Sequence, residues 1–115
     1  PSGNASLDVV AWVLDGVDHS SPHGDITVSP ATYGFDSAAR DFQLTTGTTD
    51  GFPIVMLNCN QTFALNSGFA ATSLAAGFRG IYPDSATGSA GTKTITVTPS
   101  ASTAMQAIGV AYNAA

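Results

Sequence analysis

Asp15, Asp18, His19, His23 and Asp25 fall within one eleven-residue stretch, D-G-V-D-H-S-S-P-H-G-D. No other part of the chain comes as close to a set of residues that could do chemistry. Carboxylate oxygens suit Ca²⁺, which takes about six to eight oxygen ligands, and paired imidazoles suit zinc or another borderline cation. Asp15, Asp18 and Asp25 are therefore the candidate calcium ligands, and no other cofactor is implied. The spacing fits no calcium-loop template, and the chain has no Glu to close one. The competing reading is structural: an Asp in a turn bonds nearby backbone amides, and His in a polar loop is solvated.

Nucleophilic catalysis needs a Ser or Cys held by a His and oriented by a third group. Ser20, Ser21 and Cys59 stand in a chain that also carries His19 and His23, but no strand-to-helix elbow surrounds any of them. A pair of carboxylates for glycoside cleavage has no basis for selection among eight Asp. The expectation is no enzyme. Among the aromatics, Trp12 sits in an apolar run and reads as core. Tyr33 and Tyr82, beside Gly34 and Pro83, read as loop residues and are the candidate ligand-binding side chains, suited to stacking on a glycan.

The elements that must position these residues follow from composition. The chain has 115 residues, enough for one domain with its own core. Hydrophobic residues make up 43% but charged residues only 10%, so solubility rests on Ser, Thr, Asn and Gln. Few long-chain helix formers are present, whereas Val, Thr, Ala and Gly abound, which predicts an all-β fold. The net charge is −5, and the cations are only Arg40, Arg79 and Lys93. That excludes a nucleic-acid surface and disfavours an anionic membrane. Cys59 is alone, so no internal disulfide forms, and in its apolar run it reads as a small core residue. The chain begins at Pro rather than Met, as a processed protein or one piece of a longer one would.

Leu7–Leu14 predicts a central strand, Asp15-Gly16 a turn and the residues through Asp25 a loop. Ile26–Ser29 predicts a short strand, and the tract through Ala39 reads as irregular. Further strands are predicted over Arg40–Thr46, Phe52–Cys59 and Gly77–Tyr82, with Gln61–Leu74 as a short hairpin or covering loop. Thr92–Thr98 and Ala104–Tyr112 predict an antiparallel hairpin, with Ile95 and Val97 facing Ile108, Val110 and Tyr112. Gly109 and the alanines would leave the opposite face flat enough for a second sheet to approach. The sum is an antiparallel β-sandwich of about seven or eight strands, jelly-roll rather than immunoglobulin-like.

The run V-L-D-G-V-D before a Ser/Pro loop, Phe42–Thr46 leading through Thr48-Thr49-Asp50-Gly51 to Phe52–Leu57, and Thr92–Thr98 joined through Ser100-Ala101-Ser102 to Ala104–Ala111 together cover most of the chain. They resemble the jelly-roll-like β-sandwich domains of bacteriophage virion proteins and bacterial surface proteins. Only six residues precede Leu7–Leu14, where such domains usually carry further strands. The resemblance implies assembly, decoration or receptor contact, in a virion or extracellular setting, and transfers no catalytic residue. Low charge agrees, because few charged groups must be desolvated when subunits pack. The expected function is a structural subunit or decoration domain of an extracellular particle, most naturally a phage virion. Its expected partners are copies of itself or other virion or surface subunits, with no nucleic acid and no membrane. The alternative is a carbohydrate-binding module of a secreted bacterial protein, whose partner would be a glycan.

Overall fold

The computed structural model describes residues 13–28, 30, 32–73 and 77–115, and among these it has eight strands and no helix. They are β1 (Thr32–Asp36), β2 (Arg40–Thr46), β3 (Phe52–Asn58), β4 (Phe63–Leu65), β5 (Phe69–Ser73), β6 (Phe78–Pro83), β7 (Gly91–Pro99) and β8 (Thr103–Tyr112). Every pairing is antiparallel. A five-stranded sheet has the order β1-β8-β3-β6-β5 and a three-stranded sheet the order β2-β7-β4. Strands adjacent in sequence thus mostly lie in opposite sheets, which is jelly-roll order. One strand departs from it: β5 extends the larger sheet beside β6 instead of joining β4.

The inward faces of the two sheets form the core. Phe42, Leu44, Ile95 and Val97 come from the smaller sheet, and Val55, Leu57, Ile81, Met105, Ala107 and Ala111 from the larger. Cys59 is buried among them, as its sequence context predicts. Packing is tight around β8 at Gly109. A Cβ built on Gly109 would lie 2.7 Å from the Ile54 carbonyl oxygen, 2.9 Å from Val55 Cγ2 and 3.0 Å from Leu44 Cδ1 of the opposite sheet. Gly109 makes room for Leu44, which fills the space from across the sandwich.

Several expectations change. Thr92–Thr98 and Ala104–Tyr112 are strands, but they do not pair: β7 bonds β2 and β4, while β8 bonds β1 and β3. The flat face of β8, with Ala107, Gly109 and Ala111, is the one the second sheet covers, as its small residues predict, but Ile108, expected to face Ile95 and Val97, is 61% exposed. The tract expected to be irregular contains β1, which pairs with β8 through Thr32↔Gln106 and Tyr33↔Met105. Ile26–Ser29 is no strand where described, although Val28 is buried. β4 and β5 are not a hairpin, since they belong to different sheets. Residues 7–12 of the proposed first strand, Trp12 among them, lie outside the described residues. Val13 and Leu14 are not in a strand, and Val13 is 101% exposed. Of the three cations, only Arg40 lies on an edge strand; Arg79 and Lys93 are on interior strands and cannot guard an edge.

Candidate functional site

The loop carrying the candidate metal ligands is bonded along the C-terminal edge of the larger sheet. β1 covers only the first part of β8, from Thr103 to Gln106. Beyond it the chain from Gly16 to Asp25 takes over the exposed backbone groups. Ala115 donates to the Gly16 carbonyl at 2.8 Å, Asp18 to Asn113 at 2.9 Å, Asn113 to Pro22 at 2.9 Å, Gly24 to Ala111 at 2.8 Å and Ala111 to Asp25 at 2.8 Å. Isolated bridges join Val17 to Ala114 and His23 to Tyr112. Orphan backbone groups at a sheet edge need partners, and an irregular segment supplies them here.

The carboxylates of this loop serve backbone donors. Asp15 Oδ1 accepts from the Gly16 amide at 2.9 Å. Asp18 Oδ1 accepts from the Ser20 amide at 2.9 Å, the Ser20 hydroxyl at 2.8 Å and the Ser21 amide at 3.4 Å. The Ser20 hydroxyl bond, then the Ser20 and Ser21 amides, hold the Asp18 carboxyl below its ordinary pKa, with a smaller push from His19. Asp25 Oδ2 accepts from the Thr45 amide of β2 at 2.7 Å. His23 Nδ1 lies 3.2 Å from the Gly24 carbonyl. Among the described residues, no three His, Cys, Asp or Glu side chains are gathered so as to hold a metal ion. The geometry is that of turns fixed by their own side chains.

Asn113 carried no signal in the sequence, yet it is the hub of this edge. It is only 6% exposed. Its Oδ1 accepts from the Gly47 amide at 2.8 Å and its Nδ2 donates to the Ser21 carbonyl at 2.9 Å. With its two backbone bonds it ties the loop, the β2–β3 turn and the C-terminal segment together. Isolated in sequence beside Tyr112, it could have been found only through partners 66 and 92 residues away.

The candidate aromatics do not form one platform. Both lie in strands, Tyr33 in β1 and Tyr82 in β6, rather than in loops. Tyr33 faces inward, packs against the core and meets Phe42 edge-on at 5.5 Å between centroids. The Arg40 guanidinium stands 4.6 Å above its ring and is paired with Asp36. The Tyr33 hydroxyl donates to the Asp41 carbonyl at 3.2 Å. Tyr82 follows inward-facing Ile81 and so points outward from the same sheet. The two tyrosines are separated by β8 and β3 and open onto opposite faces.

The two outer faces of the sandwich differ sharply. On the smaller sheet, the outward register pairs of β2 and β7 each share a side-chain hydrogen bond: Thr96 to Asp41 at 2.7 Å, Gln43 to Thr94 at 3.4 Å and Thr45 with Thr92 at 3.2 Å. This is a wet, hydroxyl-rich face with its own cross-strand ladder. On the larger sheet the outward residues of its inner strands include Ile54, Met56, Phe78, Ile108, Val110 and the stacked pair Phe52 and Tyr112. None of these is charged. The long apolar run of β3 thus faces the core on one side and this surface on the other.

A cleft of about 380 Å³ lies between the Ser67–Phe69 turn and the loop after β6, with Ser85, Thr87 and Lys93 on its walls. Its lining has no His, Cys or carboxylate, and its polar groups are the hydroxyls of Ser67, Ser85, Thr87, Thr92 and Thr94 and the Lys93 ammonium. Lys93 Nζ donates to the Thr87 carbonyl at 2.8 Å and the Ser89 carbonyl at 2.6 Å, and so holds the loop. Cys59 is buried, with its Sγ directed to the Gln61 carbonyl at 3.5 Å.

No protein-family model, curated protein or solved structure matches the chain.

Proposed function

We propose that this chain is a non-catalytic structural subunit or decoration domain of an extracellular particle, acting by packing against neighbouring subunits. The observation that carries the reading is the charge-free apolar outer face of the five-stranded sheet, set against the polar ladder on the other side. Ile108, at 61% exposure, stands with Met56 and Phe78 in one patch rather than singly. Apolar surface gathered in one patch is what an interface consists of. A phage virion is the setting suggested by the sequence resemblance, and jelly-roll order is at home in capsid proteins as well as lectins. The dispersal of Tyr33 and Tyr82 onto opposite faces favours the packing role over the glycan-binding one. The burial of Cys59 and the backbone engagement of the loop carboxylates favour a non-catalytic role.

Electron microscopy of the concentrated chain, with glycan retention measured in parallel, tests the reading. The expected result is a regular particle, filament or discrete oligomer without glycan retention. A strict monomer that is retained on glycan would overturn it.

A further inference from the structure

The apolar outer face of the five-stranded sheet is matched to a particular partner. We propose that it docks a second copy of the same chain, face to face about a two-fold axis, which rests on the assembly role above and names its first contact. Ile54, Met56, Phe78, Ile108 and Val110 carry no charge, so a partner recognised through ion pairs gains nothing there. A second copy of this acidic chain, with net charge −5, can approach without bringing together carboxylates of β3, β6 or β8, because among the described residues none of the outward positions of these strands is a carboxylate.

The surface also carries both halves of a self-complementary contact. Ile108 projects from β8 and forms one wall of a shallow cleft of about 280 Å³, whose other walls include Thr32, Met56, Phe78 and Gln106. A two-fold axis sets each Ile108 into the cleft of the other copy, the isologous geometry of most homodimers. The area suffices. Five strands about 4.8 Å apart and about 20 Å long present roughly 500 Å² per copy. Two copies together reach about 1,000 Å², the lower bound for a specific interface. Association between two free copies is therefore weak and is reinforced by repetition in an assembly.

Sedimentation velocity on the 115-residue chain from about 10 µM to about 1 mM tests this. The wild-type chain should shift from monomer to dimer with concentration. Ile108→Lys should weaken association about tenfold or more, because an ammonium group would be buried without a partner. Ile108→Thr, which keeps a β-branched residue in the strand and guards against misfolding, should weaken it less. Thr94→Lys, on the hydroxyl-rich face, should leave it unchanged. A wild-type chain that stays monomeric throughout, or Ile108 variants that are folded by circular dichroism and associate like wild type, would overturn the proposal. If micrographs still show regular particles or filaments with Ile108→Lys, the assembly role stands and the self-docking face is wrong. If the wild-type chain forms no oligomer of any kind, both fall.

Discussion

Asp25 accepts the main-chain amide of Thr45 through its carboxylate at 2.7 Å, while its own carbonyl accepts from the Ala111 amide at 2.8 Å. One residue thereby joins β2, an edge of the smaller sheet, to β8 of the larger, and closes one side of the sandwich. The approach is close enough that a Cβ on Gly24 would sit 2.5 Å from the Thr45 carbonyl oxygen. Replacing Asp25 by Ala should cost about 1 kcal/mol in chemical denaturation, the worth of one hydrogen bond to a charged but exposed group. The Thr45 amide should lose hydrogen-exchange protection in the same variant. Asp25→Asn, which keeps an acceptor, should recover most of both.

Asn113 should prove more sensitive than any carboxylate of the loop. Asn113→Ala removes a buried side chain that is the partner of the Gly47 amide and the Ser21 carbonyl, both on exposed residues. A loss of about 1–3 kcal/mol is expected from denaturant unfolding. Asn113→Asp keeps the acceptor for Gly47 but sets a carboxylate oxygen against the Ser21 carbonyl, so it should not restore stability.

Gly109 tests the close packing around β8. Gly109→Ala places a methyl group within 2.7 Å of a backbone oxygen in the neighbouring strand, which cannot rotate away. Thermal and denaturant unfolding should show a destabilisation of about 1–3 kcal/mol, although alanine is the better residue for chain entropy.

The Asp18 turn should respond to acid in a defined direction. Its folded-state pKa lies below the unfolded value, chiefly because the Ser20 hydroxyl bonds the ionised carboxylate. The turn's contribution is then fully present above the unfolded carboxyl pKa and is lost as pH falls through the folded one. In an NMR titration the Ser20 amide should report the Asp18 midpoint, below that of a free carboxyl. Ser20→Ala should raise that midpoint towards the ordinary value, and an unmoved midpoint would show that the hydroxyl is not the cause.

Much of the architecture is legible in residue types. The lack of Glu and of long-chain helix formers, with Thr and Val in alternation, fixes the all-β class. β2, β3, β6, β7 and β8 each fall close to a run of alternating or continuous apolar residues. β1 was hidden because T-Y-G-F-D has a Gly within it and a break in register between Tyr33 and Asp36. The candidate site was legible only as a polar loop: its Asp residues were visible, but their backbone partners in β2, β8 and the C-terminal segment lie far along the chain.

What the sequence by itself determined is the all-β class, most of the strand spans and the flatness of one face of β8. Tertiary structure alone decided which sheet each strand joins and that only one face of β8 is covered. A period of two distinguishes the faces of a strand but does not orient them. Ile108, Val110 and Tyr112 therefore matched Ile95 and Val97 as a second covered face, whereas the opposite sheet, with Leu44 Cδ1 3.0 Å from a Cβ built on Gly109, packs on the small-residue face. Met105, Ala107, Gly109 and Ala111 turn towards that sheet, so Ile108, Val110 and Tyr112 lie on the outer surface proposed to pack.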